Sequence, residues 1–385
     1  MSGSVARARR RDRRVYVRSH PVLFALLAAA RRRPVLRIGR TLLVNDAGAY
    51  REVLTRLPLD RTAPGTTGGA ARSALDATGH LDGGVLFDQE GTGHRAGRRD
   101  LAGSLGTDGV ERLRTMWRPL LVRRLEPLAA GGEVDLVGLT RELSGTVVRA
   151  LLGTAASASP ATVAEAAAVA EAAAHVAAAS VRGELPGLRR RGARAAVARS
   201  TARLRELLGT GDDALPAMVA VAAVNTTVAA VPRAVAWCAD AGLWEQAADD
   251  VLRGPLTDEL LRVTVASPLL PRVAAADGTV GGCPVRAGDR LLLIARHAVD
   301  AHHGAPDALR PAAPELARLV FGAGPHTCPG ARLARTLLAD VLEALAPYRP
   351  VVVRAVVDRG AALPGWRTLT VRRGPAAHSP SEASR

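Results

Sequence analysis

The sequence contains no lysine. Its positive charge is carried by arginine alone, and against 36 acidic residues it leaves a net charge of +16. A surplus of this size suits nucleic acid, an anionic membrane or an acidic protein partner. Aromatic residues make up only 3%, which removes the stacking platform on which nucleic-acid binders commonly rely, and no recognition-helix motif takes its place. Lysine missing beside so much Ala and Arg is the mark of biased base composition in the coding sequence. The charge therefore reads as general surface with one face able to dock an acidic partner, and nucleic acid is not expected. Cysteine is scarce as well. Cys238, Cys283 and Cys328 lie far apart, which excludes a disulfide framework or a zinc cluster and leaves one cysteine available for chemistry in a reducing compartment. The short apolar run Pro21–Ala30 cannot span a bilayer, and the Arg31-Arg32-Arg33 that ends it lacks a small-residue cleavage site. The expectation is a cytoplasmic protein without membrane attachment.

What is present is a hydrophobic content of 48% over 385 residues, enough for a large core or for two or three domains. Pro21–Ala30 predicts a short helix, and Val35–Ile38 with Thr41–Asn45 a β-hairpin turning at Gly39-Arg40. Ala49–Leu57 predicts a helix. Pro58–Gly84 has little periodicity and reads as a long loop, the kind that often covers a binding site. Apolar residues at helical spacing then mark Gly109–Leu128, Leu136–Leu152, Pro160–Val181 and Arg189–Leu208. Pro216–Ala241 is apolar almost all round, which predicts a central buried helix, kinked or strained at Pro232. Thr257–Val265 follows as helix, 272–294 as short strands turning at Asp277-Gly278 and Ala287-Gly288, and Arg332–Leu345 as a last helix before a small β end-piece. From Gly374 the chain is polar, with the composition of a disordered tail.

Phe321-Gly322-Ala323-Gly324-Pro325-His326-Thr327-Cys328-Pro329-Gly330 is the most informative stretch. Glycines let backbone approach a flat ligand and adopt turns closed to other residues. A cysteine ahead of a helix has its thiolate stabilised by the helix dipole and the exposed N–H groups. A lone cysteine beside a glycine turn is more often merely buried. This one has Phe, Gly and His at fixed offsets, and the ten residues resemble the haem-binding loop of the cytochrome P450 family, Phe-Gly-x-Gly-x-His-x-Cys-x-Gly. The continuation Ala331-Arg332-Leu333-Ala334-Arg335 is similar to that family's proximal helix.

The resemblance implies Cys328 as axial ligand of a haem b iron, with Phe321, Gly322, Gly324, His326 and Gly330 shaping its seat. It implies a buried structural ion pair from Glu259-Leu260-Leu261-Arg262, joined by a second arginine for which Arg310 is a loose candidate. His94 and Arg98, one turn apart in His94-Arg95-Ala96-Gly97-Arg98, and Arg272 match the family's propionate-binding residues. The distal helix departs from the pattern of small residue, Gly, any residue, acid and Thr. Ala223 stands where Gly is usual, and Asn225 where the acid is usual, ahead of Thr226 and Thr227. Asn cannot shuttle a proton as a carboxylic acid can. Thr226 is suited either to hydrogen-bond dioxygen or its water, or to bond its own helix carbonyl.

The fold implied is mainly α with a small β part, one large helical domain around a haem at 21–373. Outside it are a basic segment at 1–20 with the composition of a disordered arm and a polar tail at 374–385. The function implied is a haem-thiolate monooxygenase acting on a small organic or peptide secondary metabolite, monomeric, with electrons from a ferredoxin-type partner docking near Arg332 and Arg335. Two alternatives remain open: oxidative cross-linking of a peptide or phenolic compound, and a haem-binding protein with little turnover.

Overall fold

The computed structural model describes residues 3–76, 91–153, 160–184, 192–211 and 213–375. Its helices are, in the first half, α1 (Gly3–Ser19), α2 (Pro21–Ala30), α3 (Ala47–Thr55), α4 (Thr67–Asp76), α5 (Gly91–Leu105), α6 (Thr107–Ala129) and α7 (Leu136–Leu151). There follow α8 (Pro160–Glu184), α9 (Ala193–Leu208), α10 (Ala214–Ala241), α11 (Trp244–Ala248), α12 (Arg253–Thr264), α13 (Ala295–Ala298), α14 (Pro314–Ala317) and α15 (Ala331–Leu345). The strands β1 (Val35–Ile38), β2 (Thr41–Val44), β4 (Leu270–Val273) and β7 (Arg290–Leu293) form one sheet in the order β1-β2-β7-β4. The end-piece pairs β3 (Glu133–Asp135), β9 (Gly365–Arg372) and β8 (Val351–Asp358), and β5 (Gly278–Val280) pairs β6 (Cys283–Val285).

The apolar helix α10 runs through Pro232 without a break and packs against α1, α7 and α8. It is long and apolar enough to cross a membrane by composition, but its position is that of a core helix. The approach of α7 to α8 depends on Gly145, where a Cβ would fall 1.9 Å from the Ala166 carbonyl oxygen. The first hairpin pairs Val35 with Val44 as its sequence alternation implies, and β2 then runs parallel to β7.

Three segments differ from the sequence expectation. The basic 1–20 stretch is helical from Gly3, and α1 is docked on α10 rather than standing apart. Ala8, Asp12, Val15 and Tyr16 form a buried stripe at helical spacing that the surrounding arginines mask in the sequence. Asp12 accepts from Arg233 of α10 at 2.8 Å, and the Tyr16 hydroxyl donates to the Thr264 carbonyl at 2.7 Å. Within 58–84 the chain forms α4, started by Thr66, whose Oγ1 accepts from the Gly69 amide at 3.0 Å; residues 77–84 lie outside the described residues. The helix expected from Arg189 begins at Ala193 behind Gly192, which takes φ +82°; residues 185–191 lie outside the described residues, as does the tail from 376.

Glu259 and Arg262 form a buried two-pronged ion pair, Nε to Oε1 at 2.8 Å and Nη2 to Oε2 at 2.7 Å. Its remaining capacity goes to backbone. Glu259 accepts from the Ala312 amide at 3.0 Å, and Arg262 donates to the carbonyls of Val299 and Asp300, each at 3.2 Å. Arg310 is no part of this network: its side chain is 88% exposed and pairs with Asp307. The further donation to Glu259 expected of a second arginine comes from the Ala312 amide. Removing one member of a buried pair leaves the other charge uncompensated, so Glu259→Ala is expected to cost about 3–5 kcal/mol of stability. Arg310→Ala should stay within about 0.5 kcal/mol of the parent. Denaturant midpoints of the two variants check both expectations.

Candidate active site

The site is built on the loop that precedes α15. Gly322 and Gly324 take φ of +80° and +70°, which side-chain-bearing residues rarely adopt. A Cβ on Gly324 would also come within 2.8 Å of the Leu54 carbonyl oxygen. These turns fold the loop back so that the Cys328 amide donates to the Phe321 carbonyl at 2.8 Å. Gly330 caps α15, and the nearest atom to a Cβ built there is Cys328 Sγ at 3.9 Å. The Cys328 side chain is accessible on one side, yet protein crowds it enough for burial to raise its thiol pKa, against the opposing pull of the Gly330 amide and of Arg98. Such a thiol stays protonated until a coordinating cation deprotonates it.

Around the loop stands a collar of basic side chains. Arg98, on α5, donates to the Thr327 carbonyl at 2.6 Å and so holds the residue beside Cys328. His94, one turn earlier and buried, stacks on His326 with ring centroids 3.9 Å apart. Arg272 comes from β4, where its Nη1 donates to Thr67 Oγ1 at 3.3 Å and to its neighbour's carbonyl at 2.8 Å. Its Nε is buried with no hydrogen-bond partner among the described residues. Burial first, and then the charge of Arg61, pull the Arg272 guanidinium down to about 10. Burial likewise pulls His326 down to about 3, and Arg61, His94, Arg272 and Arg98 add to this. Arg61 was not among the residues expected from sequence. It lies in the aperiodic stretch after Pro58 with no motif to distinguish it from the other arginines.

Basic groups brought this close together make a seat for anions that are to be partly buried. With an accessible thiol ahead of a helix and a glycine beside the sulfur, the set fits a haem: Cys328 would ligate the iron, and Arg98, Arg272, His94, His326 and Arg61 would hold its propionates.

The distal candidates lie on α10. The Asn225 amide donates to the Val221 carbonyl at 2.7 Å and across to the Ala173 carbonyl of α8 at 3.3 Å. The Thr226 hydroxyl donates to the Ala222 carbonyl at 2.8 Å. Thr227 is half-buried. Both polar groups of the Asn225-Thr226 pair are thus engaged by helix backbone, and Asn225 ties α10 to α8.

No family model matches the chain. Among curated proteins it is similar to mycocyclosin synthase of Mycobacterium tuberculosis, 37% identical over 125 residues, which are 31% of this chain and 30% of that one. It is also similar to the 20-oxo-5-O-mycaminosyltylactone 23-monooxygenase of Streptomyces fradiae, 39% identical over 99 residues, 24% of each chain. The matched stretch thus spans less than a third of either relative. The fold is similar over far more of the chain to the crystal structure of P450BioI in complex with hexadec-9Z-enoic acid ligated acyl carrier protein. That likeness has a TM-score of 0.72 at 16% identity and covers 93% of this chain and 99% of that one.

Each charged hydrogen bond lost from the collar is worth about 1–3 kcal/mol. Arg272→Leu and Arg98→Leu are therefore expected to lower haem content after purification and to lower the melting temperature of the loaded protein. Full loading and unchanged melting in both variants would remove these residues from the seat.

Proposed function

This chain belongs to the cytochrome P450 family, and we propose that it is a haem-thiolate monooxygenase of a small organic or peptide secondary metabolite, fed with electrons by a ferredoxin-type protein. The observation that carries the proposal is Cys328, accessible beside Gly330 ahead of α15 and ringed by basic side chains. Bound haem supplies the one-electron and dioxygen chemistry. The chain's own part would be to ligate the iron and donate electron density through the Cys328 sulfur and to neutralise the propionates with the basic collar, with α10 supplying the distal candidates Asn225, Thr226 and Thr227. The same reading makes the Streptomyces monooxygenase the relevant relative.

Electron delivery would use the outer side of the loop. Four arginines, Arg51, Arg318, Arg332 and Arg335, and one acid, Glu315, stand with Phe321 around a surface hollow of about 380 Å³. Positive charge there suits the acidic face of a ferredoxin-type partner and would speed encounter more than it would tighten binding. Arg335, grouped with Arg332 on sequence grounds, is turned to Asp258 at 2.9 Å and adds less to that field.

A second reading is oxidative coupling without oxygen insertion. The engagement of Asn225 and Thr226 by backbone favours it, because neither then presents a proton relay of the carboxylic-acid kind. One similar protein is named a synthase and not an oxygenase.

Turnover with reductase, ferredoxin and dioxygen separates the two readings: the first expects products that gain an oxygen atom, the second products that lose a pair of hydrogens. Asn225→Asp tests proton delivery directly. An ionised Asp cannot donate to the carbonyls of Val221 and Ala173, so the change is expected to leave product per electron unchanged or lower and to cost about 1–3 kcal/mol of stability. A clear rise in coupling would show that the native site lacks an acid it needs. Thr226→Ala is expected to lower coupling under the first reading, and no effect would remove Thr226 from the catalytic residues.

A further inference from the structure

Away from the haem seat, the turn after α13 brings together Asp300, His302 and His303, and we propose that these three side chains bind a zinc ion. Their ligand atoms all lie within 4.8 Å of one another. Asp300 Oδ1 is 2.5 Å from His303 Nδ1 and 3.8 Å from His302 Nδ1. Tetrahedral zinc with bonds of about 2.0–2.1 Å holds its ligand atoms roughly 3.3 Å apart, between these two separations. Bringing the three ligand atoms to that spacing would replace the Asp300–His303 hydrogen bond by coordination.

The observation that points to a ligand is His302. Its side chain is only 15% exposed, and its Nδ1 is buried with no hydrogen-bond partner among the described residues. A neutral imidazole offers such a nitrogen directly to a metal ion. Two imidazoles and one carboxylate are the donor set of zinc rather than of magnesium or calcium, which prefer oxygen alone. The outward side of His303, 69% exposed, leaves the fourth position to water. Arg31 and Arg296 act on His302 from nearby, and their charge sets the affinity below that of a closed structural site.

The place of this turn gives the ion a task. Asp300 holds φ +53°, a left-handed backbone conformation uncommon outside glycine. Its carbonyl accepts from Arg262 of the buried ion pair, and the His303 carbonyl accepts from Arg9 of α1 at 2.8 Å. Zinc here would clip the turn that joins α1 to the Glu259–Arg262 pair.

The test uses full-length, haem-loaded protein without a polyhistidine tag, washed with chelator. Calorimetric titration with zinc chloride is expected to show saturable one-to-one binding. His303→Ala and Asp300→Asn, the latter chosen because Asn tolerates the left-handed turn, should each weaken it roughly tenfold or more. His175→Ala on α8 should leave it unchanged, and magnesium should not compete. Zinc should raise the melting temperature of the parent but not of His303→Ala. Absence of saturable binding by the parent, equal affinity in His303→Ala and Asp300→Asn, or an equal rise in melting temperature with and without His303 would each overturn the proposal.

Discussion

The buried pair of Glu259 and Arg262 is the interaction on which the remaining architecture depends. It lies inside α12, but its outer hydrogen bonds are made to three backbone positions remote in sequence: the Ala312 amide and the carbonyls of Val299 and Asp300. Ala312 opens the segment that runs through α14 into the thiol loop, while Val299 and Asp300 follow the strand that seats Arg272's sheet. One ion pair thus fixes, relative to α12, both the approach to Cys328 and the turn that meets α1. The pair is not stable for its charge alone, since two ions taken out of water recover their hydration only with good geometry and full hydrogen bonding. Backbone groups supply that completion here, and so the network does without Arg310.

The second constraint is electrostatic. Arg61, Arg98, Arg272, His94 and His326 crowd together in a partly buried place, and burial first, with the neighbouring charges after it, lowers the proton affinity of Arg272 and His326. Burial raises the Cys328 thiol pKa at the same place. A bound anion relieves the first cost and a coordinating cation the second. A haem with its two propionates and its iron brings both, which is why these apparently unfavourable features are consistent with one another.

Legibility in the sequence followed the physics that produced each feature. The thiol loop was readable because its requirements are local: positive φ at Gly322 and Gly324, and a cysteine ahead of a helix. Glu259–Arg262 and His94–Arg98 stand at helical offsets that many helices show, and only the resemblance of the thiol loop to the P450 haem loop singled them out. Helix α10 stood out as apolar on every side. Helix α1 was hidden because its buried stripe of Ala8, Asp12, Val15 and Tyr16 is interleaved with arginine, and the partner of Asp12 lies far along the chain at Arg233. Arg61 was invisible for a similar reason, since its meaning comes from tertiary proximity to Arg272 and His326. The backbone substitutes for Arg310 could not be read at all, because an amide or carbonyl has no residue identity. Asn225 was noticed as a departure from pattern, but its bond across to the Ala173 carbonyl of α8 required the helices to be placed.

The central claim is that Cys328 ligates a haem iron. The most direct measurement is the absorption spectrum of the purified protein, reduced and exposed to carbon monoxide. The account predicts the strongly red-shifted Soret band of thiolate ligation in the parent and its loss in Cys328→Ser. A parent protein that takes up no haem, or a Cys328→Ser variant that keeps the red-shifted band, would contradict it.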